Sequence, residues 1–331
     1  MTKPTDPTTA ASTSSKFSLV ALLPFIGWHL LLIPGFLFID FKWEYLALVA
    51  VTYFLRMFGV TAGYHRYFSH RAFKANRLFQ FLLAFLAQTS AQKGVLWWAA
   101  HHRHHHRHSD QEDDLHSPSR KGFWWSHVGW ILSTKYEDTR FESIRDFARF
   151  PELVWLNTHH LVPAMLGLVV MYLLGGVPWM FYGGVVSTVL LWHGTFTINS
   201  LSHIFGQRRY VTTDTSRNNF FFALLTMGEG WHNNHHFHQN TANQGWFWWE
   251  VDATFAILKA LSWVGVVSDL RVVSEQTKYA YRSYSEAQKT QLEAETRFNA
   301  WRKPPQTPAP KPSPEAMPAL GRLAPQPLLD R

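Results

Sequence analysis

The sequence predicts an all-α membrane protein in which four transmembrane helices, paired as two hairpins, stand beneath a helical cap. Three observations predict it. Four apolar stretches are each long enough to cross a bilayer, which needs roughly 20 residues. The links inside two pairs of these stretches are very short. The histidines and most basic residues fall in the long segments between and after the pairs. Composition agrees: 47% of the 331 residues are hydrophobic, with 16 Trp and 26 Phe. Mean hydropathy is only −0.14, so a large polar part accompanies the membrane part.

Residues 1–16 are rich in Thr, Ser and Pro and are expected to be disordered. No Sec-type leader is expected, because a basic start and an A-x-A site are lacking. Residues 17–274 form one domain. Its first span runs from Phe17 to Ile39 and its second from Trp43 to Gly63, with Asp40–Lys42 as the link. The third runs from about Leu156 to Leu174 and the fourth from about Trp179 to Ser200, linked by Gly175–Pro178. Arg56 inside the second span is costly in lipid, so it must snorkel or find a partner. A further stretch, Leu78 to Trp98, contains Gln80, Gln88, Gln92 and Lys93 and reads as a helix lying against the membrane or the protein. Lys and Arg gather in 64–155 and after 206, which places the cap (64–155 and 201–274) and both termini on the cytoplasmic side of the cytoplasmic membrane. Residues 275–302 read as a solvated polar helix carrying Glu286, Lys289, Glu293 and Glu295, with no part in the chemistry. Residues 303–331 form a Pro-rich disordered tail.

The formal net charge is +8 and there is no Cys. The second fact excludes disulfides, thiolate metal sites, iron–sulfur clusters and cysteine nucleophiles. A basic balance suits nucleic acid, an anionic membrane or an anionic substrate. The apolar stretches and the aromatic load favour the last two, and no nucleic-acid partner is expected.

Three groups among the 19 histidines carry the chemistry. The first is His65 and His70 at the end of the second span. The second is His102, His105 and His106; the third is His232, His235 and His236. In the last two groups the i, i+3, i+4 spacing puts the rings on one face of a helix. The five-residue step of the first does not, so His70 is expected just beyond the helix end. A single His-rich run can be an adventitious metal tract, but three runs flanking spans on one side are not. Eight clustered imidazoles exceed the four ligands of a structural zinc. They fit two metals with about four ligands each, leaving positions open for O2, and imidazole suits iron and copper.

These runs resemble the integral-membrane fatty acyl desaturases, in the acyl-CoA Δ9 (stearoyl-CoA-type) branch. HRYFSH, HRHHH and HNNHH match in order and spacing. The run from Gly122 to Trp130 (GFWWSHVGW) resembles the family's GFFFSHVGW, Asn199 to His203 its NSAAH, and Gly228 to His236 its GEGFHNYHH. Gly63 with His65 resembles its TAGAHR. The likeness runs from about residue 17 to 270. It implies a long-chain acyl thioester substrate, a cis Δ9 double bond, O2 as co-substrate and two Fe ions, which zinc replaces when iron is scarce. It implies His65, His70, His102, His105, His106, His203, His232, His235 and His236 as metal ligands, and Asn199 as holder of a metal-bound water. His101, His104, His108, His116 and His127 are left as non-ligands. Trp98 and Thr195 fall where the family bends its acyl tunnel.

Two features depart from the family. Where the animal enzymes carry two consecutive bases after HVGWLL, this chain reads Ser133-Thr134-Lys135, and Ala100 stands where another base is expected. Lys93, Trp130 and Lys135 are left as candidates for a smaller carrier site, with CoA first and acyl carrier protein or phospholipid as alternatives. The two electrons must come from a separate ferredoxin, rubredoxin or cytochrome with its reductase, since neither a haem segment nor a nucleotide fingerprint is present. Glu229 is a candidate to orient an imidazole, or is purely structural. A di-iron acyl or alkane hydroxylase is the alternative enzyme, and a metal-binding lipid sensor or scaffold the alternative of another class.

Overall fold

A computed structural model describes residues 16–297. Residues 1–15 and the tail 303–331 lie outside the described residues. The first helix, α1 (Leu19–Phe38), starts at Ser18, whose Oγ accepts from the Ala21 amide and donates to Glu137 at 2.8 Å. Only Gly35 of α1 is buried; the Phe181 ring fills the space its Cβ would need. Most of its other residues are apolar and many are exposed, as lipid requires.

The second, α2 (Glu44–Ser69), is α-helical to Phe58 and then a π-helix over Gly59–Ser69. That wider turn lies against α3 (Arg77–Gln88). A Cβ on Gly59 would stand 2.8 Å from the Ala87 backbone nitrogen, so only glycine permits the approach. Next come α4 (Val95–His108), α5 (Pro151–Thr158), α6 (Val162–Trp179) and, after a π turn at Met180–Val186, α7 (Ser187–Asn199). Short helices follow: α8 (Phe220–Leu225), α9 (His232–Phe237), α10 (Ala253–Trp263) and α11 (Glu286–Arg297). A two-residue antiparallel pairing, β1 (Lys74–Ala75) with β2 (Val267–Ser268), ties the approach to α3 to the exit of α10.

Among the described residues three helical stretches are long and apolar enough to cross a membrane: Leu19–Phe38, Glu44–Ser69 and Val162–His203. The last has 42 residues and leaves helical geometry at Gly175 (φ −155, ψ 19) and Gly176 (φ 68, ψ −157). The break falls in the link expected at 175–178 and divides the stretch into two arms.

Three boundaries differ from the sequence reading. Leu156 belongs to α5, and the third span begins at Val162, because a turn at 159–161 and Pro163 start a new helix there. Leu78 to Trp98 is two helices, not one; between them Ala91 (φ 55) and Lys93 (φ 69) adopt left-handed backbone. The polar helix expected over 275–302 is broken: Glu275–Lys278, a 3-10 turn at Ala280–Ser283, then α11; residues 298–302 lie outside the described residues. Tertiary bonds hold this break, since Tyr210 Oη donates to the Lys278 carbonyl at 2.6 Å and the Val211 amide donates to Tyr284 Oη at 3.2 Å.

Arg56 is buried and pairs. It donates to Thr188 Oγ1 and Ser187 Oγ at 2.5 Å each, to the Gly183 carbonyl at 3.3 Å and to the Thr52 carbonyl at 3.0 Å, pinning α2 to the second arm. Above it a core of Tyr64, Phe68, Leu83, Leu96, Leu153 and Leu258 fixes the end of α2 against α3, α4 and α10. Of these elements, α2 and α4 carry histidines.

Candidate metal centre

Five imidazoles meet where α2, α4 and α9 converge. Ligand atoms of His65, His70, His102, His106 and His235 all lie within 4.8 Å of one another. Their Nε2 atoms form a chain of close approaches: His65 to His235 at 3.0 Å, His235 to His106 at 2.9 Å, His106 to His102 at 2.9 Å and His102 to His70 at 3.0 Å. A second group gathers His105, His203 and His236 within the same limit, and His232 Nε2 stands 3.1 Å from His203 Nε2. All nine histidines expected as ligands therefore fall into two adjacent groups, of five and four.

The local folding explains the partition. His70 closes the π-helix, its amide donating to the His65 carbonyl five residues back at 3.2 Å. A π turn brings residues five apart onto one face, and the two rings stand 4.8 Å apart between centroids. The expectation that this step parts the rings is thus corrected, while His70 does lie just past the helix end. On α4 the i, i+4 pair His102 and His106 faces the first group and His105 faces the second. On α9, His235 faces the first and His232 with His236 the second.

Four carboxylates fix which nitrogen is free. His105 Nδ1 donates to Asp114 at 2.9 Å, His236 Nδ1 to Asp214 at 2.6 Å, His203 Nδ1 to Asp110 at 3.3 Å, and His65 Nδ1 to Glu229. An ionised carboxylate only accepts, so each of these rings holds its proton on Nδ1 and turns a bare Nε2 lone pair inward. The Nε2 atoms of His105 and His236 are buried and meet no donor. Burial drives His70, His102, His106, His232 and His235 well below the ordinary imidazole range, and neighbouring imidazoles add to the shift. They are neutral at pH 7, the form that binds metal. Burial alone would raise the Asp214 carboxyl; His236 and its hydrogen bond outweigh this and hold it well below the usual range.

Nε2 atoms standing 2.9–3.1 Å apart are close enough to share one metal ion. Charge fits too. Asp110, Asp114, Asp214, Glu229 and Asp252 keep no more than 7% of their side chains exposed, and Arg66, wholly buried, bonds Glu229 and Asp252. Four of these carboxylates, Asp110, Asp114, Asp214 and Glu229, bond imidazoles of the two groups directly, so negative charge lies where cations would sit. Buried charge left unbalanced is expensive.

The remaining histidines have other partners, except His116. His101 Nδ1 bonds the Trp97 carbonyl, His104 lies between the Asp113 carbonyl and Arg140, and His108 Nδ1 bonds the His104 carbonyl. His127 bonds Ser200 Oγ and stands 3.0 Å from His193, which meets His29, linking the cap to α7 and α1. His116 stacks on His105 with centroids 4.2 Å apart and belongs with His105 and Asp114 to a third small cluster. Glu229 both orients His65 and anchors Arg66.

A cavity of about 660 Å³ leads away from the centre. Trp98, Thr195, Asn199, His102 and His116 border its inner end, and the same five border a narrow pocket reaching His65, His105 and His232. Trp98 stacks on His102 and Tyr64; Thr195 Oγ1 accepts from Gln92 and donates to the Leu191 carbonyl. Lys93 and Trp130 border the cavity, whereas Lys135 is exposed, lies over the Tyr136 ring and takes no part in the lining. The acids Asp110, Asp114 and Asp214 escaped the sequence reading; the only signal was their chain neighbourhood, DQEDD behind the second group and TTDTS between His203 and His232.

Residues 41–264 match the family model described as fatty acid desaturase. The chain is 37% identical over 239 residues to the sn-2 palmitoyl-lipid 9-desaturase of Nostoc sp., covering 71% of this chain and 83% of that one. It is 35% identical over 239 residues to an acyl-CoA 5-desaturase of Anemone leveillei, covering 71% and 73%. It is 37% identical over 258 residues to the sn-1 stearoyl-lipid 9-desaturase of Synechocystis sp., covering 76% and 79%.

Proposed function

This chain belongs to the fatty acid desaturase family, and from that premise we propose that it forms a cis double bond, at position 9, in a long-chain fatty acyl group at a centre of two iron ions. The reaction removes two hydrogens from adjacent methylenes and, with O2, two electrons and two protons from outside, yields the alkene and two waters. The motif resemblance favours a CoA thioester as carrier, while two relatives' names specify glycerolipids.

The observation that carries this reading is the charge and lone-pair complement of the nine histidines and their carboxylates. It suits two divalent ions, and an all-imidazole donor set suits iron. Bound iron supplies what no side chain here can: O2 binding and attack on an unactivated C–H bond. The chain's own residues do the rest. His65, His70, His102, His106 and His235 would hold one ion, and His105, His203, His232 and His236 the other. Glu229, Asp114, Asp110 and Asp214 keep the Nδ1 protons in place and the lone pairs aimed. Asn199, at the end of α7, would hold a metal-bound water. Trp98 and Thr195 narrow the cavity next to His102, which fixes the methylenes presented and excludes bulk water. The electrons come from a separate donor protein.

The two arms of Val162–His203 are proposed to cross the membrane separately, giving four spans with the centre on the cytoplasmic side. The test is gas chromatography–mass spectrometry of fatty acids from cells expressing the chain or His105→Ala, with iron measured in the purified proteins. New cis-9 chains and about two iron per chain, both lost in the variant, are expected. Hydroxylated chains would overturn the desaturase reading; unchanged lipids with iron bound would overturn catalysis.

A further inference from the structure

The two histidine groups differ in what stands behind their rings. In the group of four, three imidazoles donate from Nδ1 to a carboxylate: His105 to Asp114 at 2.9 Å, His236 to Asp214 at 2.6 Å and His203 to Asp110 at 3.3 Å. Every other hydrogen bond that these carboxylates accept comes from a backbone amide or a hydroxyl, such as the Thr215 amide and hydroxyl on Asp110. None of the three pairs with a Lys or Arg side chain among the described residues. Two cations stand by on the backbone: Lys121 Nζ donates to the Asp114 carbonyl at 2.5 Å and Arg120 Nε to the Asp110 carbonyl at 3.0 Å.

In the group of five, only His65 meets a carboxylate among the described residues. That carboxylate, Glu229, is shared: Arg66 Nε and Nη2 donate to it at 3.1 and 3.0 Å, and Gln244 Nε2 at 2.9 Å. The buried Nδ1 atoms of His106 and His235 have no partner among the described residues, nor has that of His232 in the other group. A second guanidinium, Arg103, donates to the Ser69 and Phe68 carbonyls beside His70 at 2.9 and 2.7 Å and is paired with Asp146. A carboxylate that accepts from Nδ1–H makes the imidazole a more basic ligand at Nε2. A guanidinium bonded to the same carboxylate opposes this through its positive charge. More basic ligands favour the more highly charged ion, so three unshared carboxylates against one shared carboxylate make the two groups unequal hosts for Fe(III).

Building on the reading of the centre as two irons, we propose that Asp110, Asp114 and Asp214 give the ion of the four-histidine group the lower reduction potential, so that it is the first to pass from Fe(II) to Fe(III) when a one-electron acceptor is offered. The ion of the five-histidine group, backed by one carboxylate shared with Arg66, stays Fe(II) longer. The two positions are then not interchangeable, although imidazole walls both. The aspartates are positioning residues: they touch no reacting atom and act through His203, His105 and His236.

The test is a redox titration of the full-length, iron-loaded protein in detergent, with Mössbauer spectra of the half-oxidised sample. Ferricyanide takes one electron per chain and becomes ferrocyanide, so no substrate or donor protein is needed. Equal ferric and ferrous components are expected. Asp114→Asn should alter the ferric component and raise the first midpoint by about 59 mV or more, a tenfold change in that equilibrium. Asp114→Glu, which restores the charge, should bring the midpoint back. Glu229→Gln should alter the ferrous component and move the first midpoint much less. Should Asp114→Asn not hold two irons, Asp110→Asn takes its place, since its bond to His203 is the longest of the three. A single averaged component, a ferric component that answers to Glu229→Gln, or a first midpoint moved equally by both variants overturns the proposal and leaves the two-iron reading standing. A chain that takes up fewer than two irons sinks that reading and this inference with it. Unequal irons in a chain that forms no double bond in cells would sink the desaturase reading alone.

Discussion

His65 and His70 stand five residues apart, yet their rings are 4.8 Å apart and the His70 amide donates to the His65 carbonyl. The π-helix that ends α2 brings them together, and Gly59 against the Ala87 backbone is what lets that helix lie on α3.

Substituting Gly59 should therefore reach the metals without touching a ligand. Gly59→Ala forces a Cβ into contact with backbone that cannot swing aside, and overpacking of this kind costs roughly 1–3 kcal/mol. A lower unfolding temperature in detergent and a loss of iron from the five-histidine group are expected, read by thermal melting and metal analysis of the same sample.

The carboxylates behind the ligands give a sharper expectation. Asp214→Asn keeps the shape but removes the acceptor that fixes the His236 tautomer. Metal affinity of the four-histidine group should fall about 10- to 100-fold, so dialysis against a weak chelator should strip about one ion per chain from the variant and none from the parent.

Neighbouring histidines should separate cleanly. His104 bonds the Asp113 carbonyl and Arg140, away from both groups. His104→Ala is expected to retain both ions and its activity, whereas His105→Ala loses metal. Equal metal loss in the two variants would show that the second run acts as an unspecific tract.

Arg56 offers an asymmetric pair of variants. Arg56→Met removes the buried cation and leaves Thr188 and Ser187 free to bond their own helix, a change worth about 1 kcal/mol or less. Replacing both hydroxyl partners, Ser187→Ala with Thr188→Val, leaves the guanidinium with only the Thr52 and Gly183 carbonyls and should cost about 3 kcal/mol, the loss of two hydrogen bonds to a buried charge. Melting temperatures of the two proteins decide between them.

Trp98 stacks on His102 at the inner end of the cavity. Trp98→Ala should widen the narrow point, so derivatised products should show double bonds at several positions where the parent gives one.

How far the sequence could be read follows from what spacing encodes. The histidines declare themselves because each group is local and each residue is of the ligating type. The apolar stretches do so because bilayer thickness sets their length. Asp214 lies 22 residues from His236 and Asp110 lies 93 from His203, and carboxylates are too common for such separations to signal. The π-helix was illegible for a different reason: a 3.6-residue period was assumed where the backbone uses a wider one. The break between Lys278 and α11 comes from Tyr210 and Tyr284, contacts made across the fold.

The close packing of neutral, inward-facing imidazoles has a consequence for the life of the chain in a cell. Nitrogen lone pairs held this close together are relieved only when ions bind between them, which would make metal capture the closing step of folding and leave a chain that misses this step exposed to quality-control proteases. The amount of mature protein in a membrane would then follow the iron supply of the cell, before any control of its synthesis acts.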